Sequence, residues 1–352
     1  MDLSIAAILA QDGITSGAIY ALLALALVLV FSVTRVILIP QGEFVSYGAL
    51  TLASIQTHKF PLTCTLLLVL GAACFVLETV DVLRHAGRRR LAVRLLPMAA
   101  GRYLLFPLAV FAITHALSAR AALPMAVQVA LTLLVVVPLG PFIYRLAFQK
   151  VAEASTLLLL IVSVAVHFAL VGLGLLMFGA EGSRTDSFSD ATFSLGSLSV
   201  SGQSLAVIGT AAILIVALYL FFGRTLMGKA LRATSINRLG ARLVGIGTTR
   251  AGSLAFTLAA ALGALSGILV APLTTIYYDA GFLIGLKGFV GAIIGGLVSY
   301  PAAAAGALLV GLLESYSSFW ASAYKEVIVF ALIIPVLLWR SLTTPHSDEG
   351  EE

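Results

Sequence analysis

Residues 13–34 carry no charged side chain, and neither do residues 191–223. An uncharged, largely apolar run of about 20 residues is long enough to cross the hydrocarbon core as a helix, and this chain contains many such runs. Candidate spans are 12–33, 36–56, 62–80, 96–117, 124–146, 155–178, 204–223, 251–273, 282–298, 302–320 and 325–340. Backbone groups find no water partner in lipid, so each span is expected to be helical. The predicted fold is an all-α polytopic membrane protein, a bundle of about 10–11 transmembrane helices. Composition agrees. Only 11% of the 352 residues are charged and 60% are apolar, whereas a soluble domain is about 25% charged. The first run has no basic stretch ahead of it, so it is expected to be retained rather than cleaved as a signal peptide.

The basic residues are clustered. Eleven of the 21 Lys and Arg fall in two stretches, Arg84, Arg88, Arg89, Arg90 and Arg94, and Arg224, Lys229, Arg232, Arg238, Arg242 and Arg250. Short basic loops between apolar spans mark the cytoplasmic side, so the basicity argues for membrane topology and against nucleic-acid binding. If the N-terminus lies outside, both stretches fall in the cytoplasm, together with Arg35, the Arg145 to Lys150 loop and Arg340. The Ser- and Gly-rich loop 179–203, with Glu181, Asp186 and Asp190 against Arg184, then falls outside. The tail 343–352, with Asp348, Glu349, Glu351 and Glu352, is expected to be disordered and solvated.

Two Gly-rich segments interrupt the apolar pattern. Residues 40–48 (PQGEFVSYG) follow the first span, and residues 285–291 (GLKGFVG) follow the eighth. Each carries one charge, and by the parity count the two pairs run in opposite directions. This pattern is consistent with an inverted repeat of broken helices, from which many transporters build a central site. Glu43, Lys287 and Glu314 lie within spans, where an ionisable group normally faces a cavity or a partner. Glu43 and Lys287 are expected to approach each other, either as an ion pair pinning two helices or as contacts to a zwitterionic solute. His115, His167, Cys64 and Cys74 are expected to be packing residues. Tyr277, Tyr278 and Asp279 sit at an outer boundary, where tyrosines commonly anchor in the interface.

No G-x-x-x-x-G-K-[ST] phosphate loop, nucleophile elbow or H-E-x-x-H pattern occurs. Transport driven by ATP would therefore draw on another polypeptide. The segment 223–250 (GRTLMGKALRATSINRLGARLVGIGTTR) is a long loop with Leu231, Leu239 and Leu243 at helical spacing and Gly228, Gly240, Gly245 and Gly247 among them. It reads either as a basic amphipathic helix on anionic lipid or as a docking element for a cytoplasmic partner.

The motifs of this segment carry a resemblance. Gly228, Lys229, Ala230, Leu231, Arg232 and Ala233, then Ala241, Arg242, Leu243, Val244, Gly245 and Ile246, and Arg250 before a new span, resemble the ATPase-coupling loop of branched-chain amino acid ABC importer permeases. The stretch 289–297 (FVGAIIGGL), followed by Ser299, Pro301, Gly306, Gly311 and Glu314, is similar to the same family, as are 17–22 (GAIYAL) and Gln41-Gly42-Glu43. The family usually carries His or a similar polar residue where this chain has Gln41. The resemblance covers 1–57 and 123–342 of a permease domain 1–342. Residues 58–122 look like an inserted pair of spans, which preserves the topology downstream.

The resemblance implies a permease subunit of an ABC importer in a bacterial inner membrane, with the N-terminus periplasmic and the C-terminus cytoplasmic. It is not an enzyme and binds no cofactor, ATP being used by partner subunits. Its implied partners are two ATP-binding-cassette ATPases, a second homologous permease subunit, a periplasmic substrate-binding protein and membrane lipid. The substrates implied are branched-chain amino acids or related small polar solutes. The ATPase-coupling residues would be Gly228, Ala230, Arg232, Ala233, Leu243, Gly245, Ile246 and Arg250. The translocation pathway would involve Gln41, Gly42, Glu43, Lys287, Gly295, Gly296 and Glu314, with Gly42, Gly295 and Gly296 permitting close packing. The rival readings are a sugar or urea ABC permease and a proton-coupled secondary transporter using Glu43 or Glu314.

Overall fold

A computed structural model describes residues 3–84, 96–118, 123–195 and 198–343. Arg88, Arg89, Arg90, Arg94 and the acidic tail from residue 344 lie outside the described residues. Apart from one small hairpin, the regular structure is helical. The chain begins with α1 (Leu3–Thr34), α2 (Gln41–Gln56), α3 (Thr63–Arg84), α4 (Leu96–Ser118), α5 (Met125–Val151) and α6 (Thr156–Phe178). The hairpin β1 (Thr192–Leu195) and β2 (Leu198–Ser201) follows. Then come α7 (Gly202–Arg224), α8 (Leu226–Ile236), α9 (Arg238–Leu243), α10 (Thr248–Val270), α11 (Ala280–Ile294), α12 (Tyr300–Trp320), α13 (Lys325–Ala331) and α14 (Ile333–Thr343). Nine helical stretches among the described residues are long and apolar enough to cross a membrane.

The expected spans 36–56 and 282–298 are shorter as helices. Residues 35–38 are non-helical, with Arg35 in the left-handed region at φ 61°, and α2 starts at Gln41. Its helix then runs unbroken through 41–56, so the interruption precedes the Gly-rich segment rather than falling inside it. At the other site α11 stops at Ile294, where Gly296 (φ 67°) and Leu297 (φ 58°) turn the chain into α12. Non-helical backbone within a membrane protein persists only where protein satisfies it. Ser163 of α6 does so for the first break: its Oγ accepts from Ile39 N–H at 2.9 Å and donates to Ile37 O at 2.7 Å.

The core sits around α1, of which every residue from 18 to 30 is buried. It packs against α10, α11 and α12, while α2 packs against α10 and α11. Small residues set these contacts, since lipid supplies little hydrophobic drive for helix association. Gly13 and Gly17 of α1 lie directly against α12, where Gly311 leaves no room for a Cβ. Each of α1 and α10 is thus a long helix followed by a non-helical connection and a short helix, and the four pack on one another. Around them α3, α4, α6 and α7 turn apolar residues outward, among them Val69, Phe168 and Ile213.

Loops gather at two ends. At one end Arg145 pairs with Glu78 at 2.5 Å and Asp81 at 3.2 Å. There too Lys150 reaches Asp81, and Arg238 donates to Ala152 O at 2.8 Å. At the other end the 179–203 segment folds over the α10–α11 connection. Ser183 bridges Ile276, Arg184 donates to Pro272 O at 2.9 Å, and the Asp186 amide donates to Gln56 Oε1 at 3.0 Å.

Candidate functional site

The two short helices meet at their N-terminal ends. A Cβ on Gly42 would overlap the Gly281 carbonyl, and one on Gly281 would overlap the Gly42 carbonyl, so the backbones touch there. Ser46 fastens the contact by accepting from the Gly281 amide at 2.8 Å and donating to Tyr277 O at 3.3 Å. Three polar side chains cluster beside it. Gln41 Nε2 donates to Ala259 O at 3.0 Å, and Glu43 Oε1 shares a hydrogen bond of 2.7 Å with His167 Nδ1. The His167 ring lies against Phe282, with ring centroids 4.5 Å apart. Gln41 Oε1 and Glu43 Oε2 are buried acceptors that no group of the described chain satisfies.

Lys287 does not join this cluster. Its Nζ lies 2.6 Å from Glu314 Oε1 and 3.1 Å from Glu326 Oε1, and Tyr20 donates to Glu314 Oε2 at 2.5 Å. The expected approach of Glu43 and Lys287 is therefore replaced by two separate polar clusters. Glu43 finds α6, whereas Lys287 pins α11 to α12 and α13. Glu326 starts α13, so its place at the edge of a span hid it from a reading of the sequence. His167, expected as a packing residue, is half of the Glu43 pair. Its signal was Ser163 one turn earlier, which puts both polar groups on one face of an otherwise apolar helix. Gly295 and Gly296 stand at the far end of α11, about 21 Å along its axis from Gly281. There Gly295 abuts the backbone of Ala303, and Gly296 makes the turn.

His115 stacks near Phe60 and Phe111. Cys64 and Cys74 are buried free thiols. Tyr277 and Tyr278 lie in the α10–α11 connection beside Ser46 and Gly174.

The second candidate region, 224–250, is two short helices with a break at Asn237 rather than one amphipathic helix. Thr225 caps α8 by accepting from Gly228 N–H at 2.9 Å, and Asn237 caps α9 by accepting from Gly240 N–H at 2.8 Å. Leu231 is buried, whereas Leu239 and Leu243 are exposed, so the three do not share a face. Gly228 sits against the backbone of Phe221 and Phe222, fixing α8 to the end of α7. Gly245, at φ 85°, closes α9, and Ile246 N–H donates to Ala241 O at 2.9 Å. Arg242 donates to Thr248 Oγ1 at 3.0 Å and pairs with Glu153 of the α5–α6 turn. That guanidinium holds the Glu153 carboxyl below the usual carboxylate range. The outer face exposes Leu226, Met227, Ile236, Leu239, Leu243 and Val244, with Arg232 and Arg250 nearby along the same segment.

A family model described as branched-chain amino acid transport system / permease component matches residues 9–337. The permease protein LivH of the high-affinity branched-chain amino acid transport system of Salmonella typhimurium is 33% identical over 206 residues, covering 56% of this chain and 67% of that protein. LivH of Escherichia coli (strain K12) is 31% identical with the same coverage. The corresponding permease protein BraD of Pseudomonas aeruginosa is 28% identical over 218 residues, 60% of this chain and 71% of BraD.

Proposed function

Because the chain belongs to the branched-chain amino acid transport permease family, we propose that it carries branched-chain amino acids or related small polar solutes into the cytoplasm, as a membrane subunit of an ABC importer powered by separate ATPases. The observation that carries this reading is the contact of α2 with α11. Two short helices touch through glycine there, and the unsatisfied acceptors of Gln41 and Glu43 lie beside the contact. A buried carboxylate oxygen without a donor suits the ammonium group of an amino acid, which supplies three. The outer face of α8 and α9 is the docking surface for the ATPases. Closure of the ATPases on ATP pushes this segment, and its attachments at Gly228, Arg238 and Arg242 pass the push to α7, α5 and α10. Since α10 holds Gln41 through Ala259, the shift reaches the α2–α11 contact. The 179–203 segment and the α10–α11 connection, joined at Ser183 and Ile276, form the face that receives a periplasmic binding protein. A second permease subunit completes the pathway. The N-terminus is periplasmic, and the end bearing Arg145, Arg232 and Arg242 is cytoplasmic.

The test is reconstitution with the ATPases, the second permease and the binding protein in liposomes. ATP-dependent uptake of leucine is expected, and Arg232→Glu combined with Gly245→Glu should abolish recovery of the ATPases on pull-down while leaving membrane insertion intact. Full ATPase recovery by that variant would refute the docking assignment. Uptake by the chain alone would replace the importer with a secondary transporter.

A further inference from the structure

A cavity of about 960 Å³ opens at the end of the bundle that carries the basic loops; Ala230, Ile246 and Arg250 of the coupling segment reach its wall, but the transport reading gives it no occupant. Its wall draws on the α3–α4 pair with Glu78, Arg102 and Phe106, on α5 with Phe142, and on the coupling segment and the start of α10 with Leu231 and Arg250.

The charges in the wall are unequal. Arg145 also lines the cavity but is engaged by Glu78 and Asp81. Among the described residues no carboxylate pairs with Arg102 or Arg250, and both are exposed. Each stands near the start of a helix that enters the bundle from this end. Four residues on, each helix presents an apolar lining residue, Phe106 after Arg102 and Leu254 after Arg250. Two guanidiniums without a carboxylate, set over apolar walls, are complementary to an amphiphile with an anionic head. A small free anion would leave the apolar depth empty. Basic pockets between transmembrane helices on the cytoplasmic side hold anionic headgroups on the same grounds.

We propose that this cavity binds one anionic phospholipid, its phosphate held by Arg102 and Arg250 and its acyl chains lying along Phe106 and Leu254. The bound lipid bridges the α3–α4 pair to the coupling segment, so that the added helix pair braces α8 and α10 from the side.

The test uses the purified 352-residue chain in neutral detergent, with bound lipid counted by native mass spectrometry. It is titrated with phosphatidylglycerol, phosphatidylcholine or inorganic phosphate. One tightly held phosphatidylglycerol is expected, with phosphatidylcholine weaker by about fivefold or more. Arg102→Gln should weaken phosphatidylglycerol by about fivefold, the worth of one arginine near a lipid surface, and leave phosphatidylcholine unchanged. Ser253→Trp fills the cavity without altering charge and should lower retention of both lipids, so it decides the matter if the arginine variant fails to fold. Equal retention of the two lipids by the unaltered chain overturns the proposal. Undiminished phosphatidylglycerol retention in the folded variants does so too. Displacement of the lipid by an equal concentration of inorganic phosphate would mark a free-anion site and overturn the lipid assignment.

Discussion

At the scale of single residues, two separate polar clusters involve buried titratable side chains, one at Glu43 and one at Lys287. Glu43 has one partner, His167, and one oxygen left over; Lys287 is shared between Glu314 and Glu326. Removing one partner of a buried hydrogen bond leaves the other unsatisfied, at a cost of about 1–3 kcal/mol. His167→Ala is therefore expected to lower the unfolding free energy by about 2 kcal/mol, measured by denaturant titration in detergent. The double variant Glu43→Met/His167→Ala should recover most of that loss, because no buried polar group is then left without its partner. A double variant as unstable as His167→Ala would show that the pair is not the cause. The same reasoning distinguishes the observed arrangement from the Glu43–Lys287 contact expected from the sequence. With no shared residue, Glu43→Gln and Lys287→Met should add to within about 0.5 kcal/mol. Strong coupling between them would return the two to one site.

Among the elements, the coupling segment is held from below by the α5–α6 turn. Arg242 pairs with Glu153, and Arg238 binds the Ala152 carbonyl. Because Arg242 lowers the folded pKa of Glu153, the tether is intact above the ordinary carboxylate range and is lost as pH falls through the lowered value. Hydrogen-exchange protection over 238–247, taken relative to the intrinsic rate at each pH, should therefore fall in acid. Glu153→Gln should show the lowered protection already at neutral pH and no further loss on acidification. A variant indistinguishable from the unaltered chain would disprove the tether. This link was invisible in the sequence, since Glu153 and Arg242 are distant along the chain and each looks like an ordinary loop charge. The spans themselves were legible, because the bilayer demands long apolar runs whatever the packing. Their ends were less so: hydropathy cannot register the turn at Arg35, where non-helical backbone is satisfied by Ser163, nor the left-handed pair Gly296 and Leu297. The glycines of the α2–α11 contact were legible as small residues, but which of them touched was not, since Gly295 and Gly42 look alike in a string.

The whole molecule sorts its loops onto two ends, and labelling can tell which is which. Cys64 and Cys74 are buried, so an introduced thiol would stand out. Ala191→Cys, beside the hairpin, should react with an impermeant maleimide from outside, and Lys229→Cys on α8 only after permeabilisation. Labelling of both from the same face would sink the topology. The burial of α1 has a further consequence, one of timing. Its main neighbours α10, α11 and α12 are made late, although α1 is made first. At about 5–20 residues per second, the interval between them is roughly 15–60 s. Throughout that wait α1 has only α2, α7 and α8 of its eventual helical neighbours beside it, and the rest of its surface must be covered by lipid. The uncharged run from 13 to 34 suits that interval, while Tyr20 keeps a hydroxyl for Glu314 of α12. A nascent chain halted before residue 248 would hold a finished first helix whose three main neighbours had not yet been synthesised.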